Sequence, residues 1–233
     1  MKESIAVIGS GISGISAAYF LSKKFDVHLF EKEDRLGGHT RTLFIKEDNN
    51  IPIDTGFIVF NEKNYYDLTK FFNVLNVEFE DSDMSFAVSN IAFNIEYSGK
   101  NISTLFADFK NLFSYNYLKM IFEIYKLYKL CGKINLENNQ KNISIKEFLD
   151  KYQFSEYVRK FHIYPMISSI WSSNINDVEK FPLISFINFF KNHGLFNFKN
   201  RPQWKYVKGG SKTYIDKIIS LNLFKYSTNF SFN

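Results

Sequence analysis

A glycine-rich turn near the start of the chain, Gly9-Ser10-Gly11-Ile12-Ser13-Gly14, constrains the fold more than any other feature. It follows a short apolar run, Ser4 to Gly9, and precedes a run from Ile12 to Leu21 in which apolar and small residues recur at helical spacing. The apolar run is typical of a strand buried on both faces of a parallel sheet, so we expect a central strand. An alternating run, Asp26 to Glu31, completes a β-α-β unit with a right-handed crossover.

Because this turn lies between a strand and a helix, its glycines match those of a turn that binds the pyrophosphate of a dinucleotide. Gly9 permits the tight turn, Gly11 lets the backbone approach a pyrophosphate, and Gly14 allows the helix to pack closely on the strand. The helix N-terminus supplies N–H donors and a positive dipole end. Glu31, at the end of the second strand, is placed to accept hydrogen bonds from a ribose and to repel a 2′-phosphate. The pattern predicts a site for FAD or NAD rather than NADP.

A second glycine pair follows the second strand at once, in Arg35-Leu36-Gly37-Gly38-His39-Thr40-Arg41-Thr42. A simple NAD domain has no need of this pair, so the segment favours FAD. An NAD-dependent dehydrogenase is the third-ranked alternative, because it leaves the second glycine pair unexplained.

The composition indicates a folded chain of one or two domains. The 233 residues are 45% hydrophobic and 23% charged, and 27 Phe and 14 Tyr indicate an aromatic core. Residues 1–100 carry 10 basic and 15 acidic side chains, whereas residues 101–233 carry 19 basic and 9 acidic ones. This asymmetry is compatible with an anionic partner, but we favour scattered solubilising lysines. We predict no nucleic-acid partner, and a peripheral membrane contact stays open.

Neither a disulfide nor a membrane span is expected. Cys131 is the only cysteine, and the chain enters its first strand without a signal-type apolar segment, which predicts a cytoplasmic protein. The nearest apolar stretch, Tyr115 to Cys131, is interrupted by charged residues. We expect the segment Tyr117 to Cys131 to pack in the core. The alternative is a basic amphipathic surface helix, with one side formed by Lys119, Glu123, Lys126, Lys129 and Lys133.

We predict an α/β fold class, in which a Rossmann-type FAD-binding β-α-β domain carries an inserted, mostly helical substrate or cap region. Residues 1–75 form the N-terminal FAD-binding segment, and residues 76–200 form the inserted region, a short β ribbon followed by helices. Residues 201–233 return in part to the FAD-binding domain.

Local patterns place further elements within these segments. Tyr65 to Leu75 is predicted to be a helix, and Met84 to Tyr97 alternates like a two-stranded ribbon. Ser144 with Glu147 matches a capping box before an apolar helix. The segment from Trp204 to Ser211 predicts a strand and the entry to a helix, and the helix itself is predicted over Tyr214 to Leu221.

Together these motifs resemble the flavin-containing amine oxidase superfamily, which includes amine oxidases, protoporphyrinogen oxidases and phytoene desaturases. The resemblance rests on the glycine fingerprint, on Glu31 and on the Arg-x-Gly-Gly segment. It is nearest to a branch of uncharacterised bacterial NAD/FAD-binding proteins, through segments that span most of the chain: residues 37–40, 54–61 and 82–86, the region of Trp171, and residues 201–204 with Gly209-Gly210.

The resemblance implies an FAD cofactor and the residues that hold it. We expect FAD to be non-covalent, because the only thiol, Cys131, lies in a helix-like segment of the middle region and should pack as a small apolar side chain. Gly37 and Gly38 would approach the pyrophosphate, and Arg35 or Arg41 would offset its charge. The Asp54-Thr55-Gly56 turn would lie near the flavin, and His39 occupies the position of an arginine in amine oxidases. The full set of expected cofactor-binding residues is Gly9, Ser10, Gly11, Ile12, Ser13, Gly14, Glu31, Lys32, Arg35, Gly37, Gly38, His39, Thr40, Arg41, Asp54, Thr55, Gly56 and Phe57.

The resemblance also implies an oxidoreductase that transfers a hydride from an unidentified small organic substrate, of apolar character, to the flavin. His162 and His193 show no metal-site spacing, so we predict no metal and assign no catalytic residue. Superfamily members are much longer, and Asn222 to Asn233 lacks the apolar strand expected next. We therefore expect an N-terminal fragment with a complementary C-terminal half as a candidate partner; a non-catalytic FAD-binding fragment is the alternative.

Overall fold

The computed structural model describes residues 2–45, 50–134, 143–197 and 201–231, which form two compact units. The first unit comprises Met1–Asp83 and Gln203–Asn233, and the second comprises Met84–Pro202. The first boundary lies after Asp83 rather than after residue 75, because the strand Phe79–Ser82 pairs with Trp204–Val207 and therefore belongs to the first unit.

Strands and helices alternate early in the chain, and helices dominate its middle. The strands are β1 (Ser4–Ile8), β2 (Asp26–Phe30), β3 (Thr42–Ile45), β4 (Ile51–Asp54), β5 (Phe79–Ser82), β6 (Ala87–Asn90), β7 (Ile95–Ser98), β8 (Trp204–Val207) and β9 (Lys225–Ser227). The α-helices are α1 (Ile12–Leu21), α2 (Tyr66–Val74), α3 (Ile102–Leu105), α4 (Tyr115–Lys133), α5 (Ile145–Lys151), α6 (Glu156–Val158), α7 (Tyr164–Trp171), α8 (Leu183–Asn192) and α9 (Lys212–Ser220). Shorter 3₁₀ turns include Phe109–Phe113, and a π-helical turn spans Arg159–Ile163.

The main sheet of the first unit is parallel, in the order β1-β2-β9. This confirms the predicted β-α-β unit, but the prediction that β1 is central is wrong: among the described strands β1 pairs with β2 alone, and Ile8 is 58% exposed. Asn222 to Asn233 contains no apolar strand among its described residues, as predicted, but it does contain a short polar one. Lys225–Ser227 pairs with His28–Phe30, and this long-range pairing forms a strand despite its polar sequence.

The core of the first unit lies where α1, α2 and α9 bury their apolar faces. Helix α1 begins and ends at the predicted residues, and α2 is confirmed within one residue at each end. Two antiparallel pairs complete the unit, β3 with β4 and β5 with β8. The largest fully buried side chains of this core are Ile15, Leu29, Phe60, Phe72 and Tyr214.

The second unit joins a ribbon to a group of helices. The predicted ribbon is confirmed as β6 paired with β7, and the predicted capping box is confirmed because Ser144 N donates to Glu147 Oε2 at 2.7 Å and Glu147 N donates to Ser144 Oγ at 3.2 Å. Its core is aromatic, as the composition indicates. The largest fully buried side chains are Tyr117, Met120, Ile145, Phe148, Leu149, Phe186 and Phe190.

Helix α4 has two different faces. Tyr117, Leu127 and Cys131 pack into the core, as predicted, whereas the opposite side of the helix is exposed. The interpretation that placed Glu123 on the same side as the lysines is wrong: Glu123 is buried and accepts hydrogen bonds from the backbone N–H and the hydroxyl of Ser155. Across the described parts of the chain, no helix combines the length and apolar character needed to cross a membrane.

Candidate functional site

The first glycine turn brings strand β1 and helix α1 as close together as glycine permits. Gly9 adopts φ +88°, in the left-handed region that favours glycine, and its N–H donates to Phe30 O at 2.7 Å. A Cβ atom on Gly14 would lie 1.8 Å from the Gly9 carbonyl oxygen, so no side chain fits there without moving the helix. Gly14 therefore has the packing role predicted for it.

The N-terminus of α1 is open to a ligand. Its N-cap, Gly11, makes no side-chain cap, and the first turn contains no acidic residue. A Cβ atom on Gly11 would meet nothing within 4 Å. Ile12 and Ser13 are exposed and line a groove of about 520 Å³ between α1 and α2. The free N–H groups and the positive dipole end thus face open space, which suits an anion.

Glu31 is buried beside this turn and is held by hydrogen bonds. Its Oε2 accepts from the Ser10 backbone N–H at 2.8 Å and from the Ser10 hydroxyl, and its Oε1 accepts from Glu33 N at 2.9 Å. Burial by itself raises the pKa of the Glu31 carboxyl, but hydrogen bonds from Glu33, Ser10 and Lys32 outweigh it and hold the pKa below its usual value. Glu31 is therefore an oriented carboxylate, and Oε1 retains acceptor capacity.

The second glycine pair lies directly against the first turn. Gly37 and Gly38 have φ values of +116° and +58°, and Gly37 N donates to both the carbonyl and the hydroxyl oxygen of Ser10, at 3.1 and 3.0 Å. A Cβ atom on Gly38 would lie 3.0 Å from Gly11 Cα. Two segments more than twenty residues apart thus form one bare backbone surface around the start of α1.

Arg35 and Arg41 are the residues predicted to offset the charge of the pyrophosphate, and Lys32 is a third basic residue of the predicted site; they differ in role. The Arg35 guanidinium donates to Gly38 O at 2.9 Å and to Thr40 O at 3.2 Å, so it holds the second glycine turn in shape. Lys32 and Arg41 are exposed, and the backbone carbonyl of Arg41 accepts from Thr55 N at 2.9 Å.

The Asp54-Thr55-Gly56 turn packs against the segment of the second glycine pair. Phe57 N donates to His39 O at 3.1 Å, and a Cβ atom on Gly56 would lie 2.2 Å from that oxygen. The Asp54 carboxylate accepts from the Ser211 N–H at 2.9 Å and the Ser211 hydroxyl at 2.7 Å, and from Thr42 Oγ1 at 2.6 Å. Asp54 therefore ties the start of α9 to the hairpin β3–β4.

Sequence reasoning missed the residues that the last segment of the chain contributes. Tyr214 forms a buried hydroxyl pair with Thr40 Oγ1 at 2.6 Å, and Phe230 N donates to Glu31 O at 2.9 Å. In the sequence, the glycine pair Gly209-Gly210 is the one feature that indicates a close approach of this last segment to the first unit. A Cβ atom on Gly210 would lie 2.4 Å from Thr42 Cγ2, so this glycine allows the returning chain to approach the hairpin.

Two reactive groups of the second unit are buried, and neither offers a charged form to a ligand. Burial raises the pKa of the Cys131 thiol to about 12, and burial lowers the pKa of the His162 imidazole to about 3. Among the described residues, no three His, Cys, Asp or Glu side chains lie close enough together to hold a metal ion.

Comparisons with known proteins agree with this architecture. A family model described as an NAD(P)-binding Rossmann-like domain matches residues 7–75, whereas no curated protein sequence matches the chain. Among solved structures, the chain is similar to cyclohexylamine oxidase from Brevibacterium oxydans IH-35A, at 19% identity and a TM-score of 0.66, over 97% of this chain and 51% of that one.

Two further solved structures show the same extent of similarity. A wild-type putrescine oxidase bound to putrescine matches at 16% identity and a TM-score of 0.64, over 98% of this chain and 51% of that one. An oxidoreductase from Methanosarcina mazei matches at 21% identity and a TM-score of 0.57, over 97% of this chain and 51% of that one. The chain thus spans about half the length of the structures that it resembles. Residues 7–75 match the model of an NAD(P)-binding Rossmann-like domain, and the chain shares its fold with about half the length of the two amine oxidase structures.

Proposed function

We propose that this chain is the FAD-binding part of a flavin-dependent oxidoreductase, in which the cofactor takes a hydride from an organic substrate. The observation that carries the proposal is the contact of the two glycine turns at the uncapped start of α1, where Gly38 lies against Gly11. A pyrophosphate fits this surface because N–H donors and a positive dipole end are exposed and no side chain blocks them. NAD binding uses only the first turn, so the second favours FAD.

The residues around this surface fit a dinucleotide. The N–H groups at Gly11, Ile12 and Ser13 would face the pyrophosphate. Glu31 would accept a ribose hydroxyl at Oε1, which accepts from Glu33 N at 2.9 Å and, as a carboxylate oxygen, has a further lone pair to offer. A bound flavin supplies the hydride acceptor, and the chain binds it, orients it and keeps water away. Arg41, exposed beside the second glycine turn, is the candidate to offset the phosphate charge.

We further propose that the cofactor is held without a covalent bond and that the substrate is a small organic molecule of apolar character. The single thiol, Cys131, is buried in the core of the second unit, so it is inaccessible to a flavin. The apolar character of the substrate rests on the resemblance to the amine oxidase superfamily. The cytoplasmic location stays a prediction.

A second candidate function is a FAD-binding part that needs a complementary polypeptide for turnover. Among the described strands, β1 has a partner on one side only. On the hairpin β3–β4, Leu43 and Ile53 oppose each other and are both exposed. An open sheet edge and exposed apolar side chains suit a protein partner.

The spectrum of the bound ligand tests the proposal. The purified chain is denatured, and the absorbance, fluorescence and molar ratio of any released ligand are measured. We expect near-stoichiometric flavin; released NAD and no flavin would favour the dehydrogenase. Turnover with amines and other organic substrates is then assayed, and flavin binding without turnover would favour the second candidate.

Gly11→Val tests whether the site is the one assigned. The backbone of Gly11 has φ −62° and ψ 175°, which an L residue adopts without strain, and a Cβ atom there meets nothing. The variant should fold but lose FAD. Gly132→Val is the matched control, because a Cβ atom on Gly132 also meets nothing within 4 Å and α4 lies in the other unit. If Gly11→Val binds FAD with the same affinity as the parent chain, the assignment of the site is refuted.

A further inference from the structure

A band of exposed aromatic side chains runs from the turn Phe109–Phe113 along one side of α4. Phe113 is 89% exposed and Phe109 is 77% exposed. The exposed apolar residues of α4 recur at spacings of three and four, so they share one side of the helix. We call these residues the aromatic face: Phe109, Phe113, Tyr115, Leu118, Phe122 and Tyr125.

The aromatic face is separate from the core of the second unit. The core-facing side of α4 is filled by other residues, among them Tyr117 and Met120, which are fully buried. Single exposed apolar residues are common on protein surfaces, but large exposed apolar side chains clustered on one side of a helix and in the turn before it mark an interaction surface. The aromatic face is therefore a candidate surface for contact with a partner and is not an incompletely buried part of the core.

The exposed charges of α4 beside the aromatic face are of one sign, and Asp108, which precedes Phe109, caps the turn by accepting from Lys110 N. Residues 109–133 contain five lysines and a single acidic residue, Glu123. Glu123 lies on the buried side, where its carboxylate accepts from Ser155. Lys119, Lys129 and Lys133 are exposed, and their spacing places them on the same side of α4 as Tyr115 and Phe122. The exposed side of the helix therefore combines aromatic rings with positive charge alone.

We propose that the aromatic face docks on the surface of an anionic phospholipid bilayer. Phenylalanine and tyrosine rings insert at the boundary of headgroups and acyl chains, and lysines beside them reach the anionic phosphates while their alkyl stems stay in contact with lipid. The exposed lysines along α4 match a negatively charged leaflet. A soluble protein partner would instead need acidic groups placed opposite three separate lysines. The interaction does not depend on the proposed cofactor.

Vesicle co-sedimentation of the full chain tests the proposal. Vesicles of phosphatidylcholine alone are compared with vesicles that contain 30% phosphatidylglycerol, at low salt and at 0.5 M NaCl. Since each lysine near an anionic surface contributes about fivefold to partitioning, three lysines should raise binding to anionic vesicles by at least about tenfold. High salt should abolish most of that gain.

Matched variants assign the contact to the aromatic face. Phe109→Ser with Phe113→Ser should lower binding to anionic vesicles by at least about tenfold, because each ring that leaves the lipid loses its burial. Ile91→Ser is the control: Ile91 is 95% exposed in the turn between β6 and β7, outside the aromatic face. Thermal melting of each variant checks that it folds, as expected for side chains outside the core.

Insertion depth gives an independent readout. Phe113→Trp should shift its emission to the blue with anionic vesicles and should be quenched by brominated acyl chains, relative to the parent chain. The proposal is overturned by any of three results: equal sedimentation with and without vesicles, unchanged binding in the double serine variant, or an equal loss in Ile91→Ser. Concentration-dependent dimerisation that the double serine variant removes, without lipid binding, would assign the face to a second copy of the chain.

Discussion

Replacement of Glu31 by glutamine separates the two roles that the structure gives to this carboxylate. Glu31 fixes the first glycine turn through Ser10 and Glu33, and Oε1 is the acceptor that we assign to a ribose hydroxyl. Glutamine keeps the size of the side chain but replaces one oxygen by an NH₂ group. That group must face either Ser10 or Glu33 N, so at least one donor in the buried site loses its acceptor.

The size of the effect follows from these contacts. A hydrogen bond to a charged group contributes about 1.5–3 kcal/mol, so losing one and weakening the others should cost about 2–4 kcal/mol of stability. For a chain of this length that is a fall in Tm of about 4–16 °C. Loss of the charged acceptor for the ribose should weaken FAD binding by about 10- to 100-fold.

Isothermal titration with FAD and thermal melting measure the two effects on the same samples. Glu33→Gln is the matched control, because it makes the same chemical change two residues away on an exposed side chain. It should leave both FAD affinity and Tm close to the parent values. If Glu31→Gln binds FAD as tightly as Glu33→Gln does, the assignment of Glu31 to the ribose is refuted.

The pH dependence of the same pair checks the cause. The folded protein holds the pKa of Glu31 below its usual value, so the carboxylate stabilises the fold most fully above the unfolded-state pKa, about 4.3. That contribution is lost as the pH falls through the folded-state pKa. The difference in Tm between the parent chain and Glu31→Gln should therefore be largest near pH 7 and shrink below about pH 4.

Three further predictions concern packing. Gly14→Ala should lower stability by about 1–3 kcal/mol in urea unfolding, because its methyl group clashes with the Gly9 carbonyl; a parent-like midpoint would contradict the close packing. Because Cys131 is buried, its thiol should react with a thiol reagent only after the chain unfolds. For the same reason the flavin should not be attached to this thiol, and acid precipitation of the protein should leave the flavin in the supernatant. Flavin in the pellet would contradict non-covalent binding. Glu123→Gln should lower the Tm measurably, because Ser155 loses a charged acceptor in a buried contact; an unchanged Tm would show that the contact contributes nothing.

The features that the sequence predicts well are those that depend on neighbouring residues. The turn at Gly9 to Gly14 and the helix after it follow from glycine chemistry and from a ten-residue run of apolar and small residues. The capping box at Ser144 needs only two side chains three positions apart. The ribbon from β6 to β7 is also local, since its strands are joined by a short turn.

The features that the sequence misses depend on partners far along the chain. Strand β9 is Lys-Tyr-Ser, and its short polar sequence gives no strand signal; it forms because β2 offers a free edge almost two hundred residues earlier. Strand β5 forms only with β8, where Tyr206 donates to Glu80 Oε2 at 2.6 Å and Lys205 pairs with Asp81 at 2.9 Å. Such pairings are set by tertiary context, which no local pattern encodes.

The candidate site illustrates both cases, because all of its predicted residues lie before position 60 while part of its support lies after position 200. Asp54, which the resemblance places near the flavin, uses its carboxylate to bind Ser211 at the start of α9. Thr40, beside the second glycine pair, is held by Tyr214 of the same helix. Main-chain bonds from Asn229 and Phe230 fix the segment that carries Glu31. The geometry that suits a dinucleotide therefore belongs to the complete first unit, and residues 7–75 supply its ligand-facing backbone without fixing it in place.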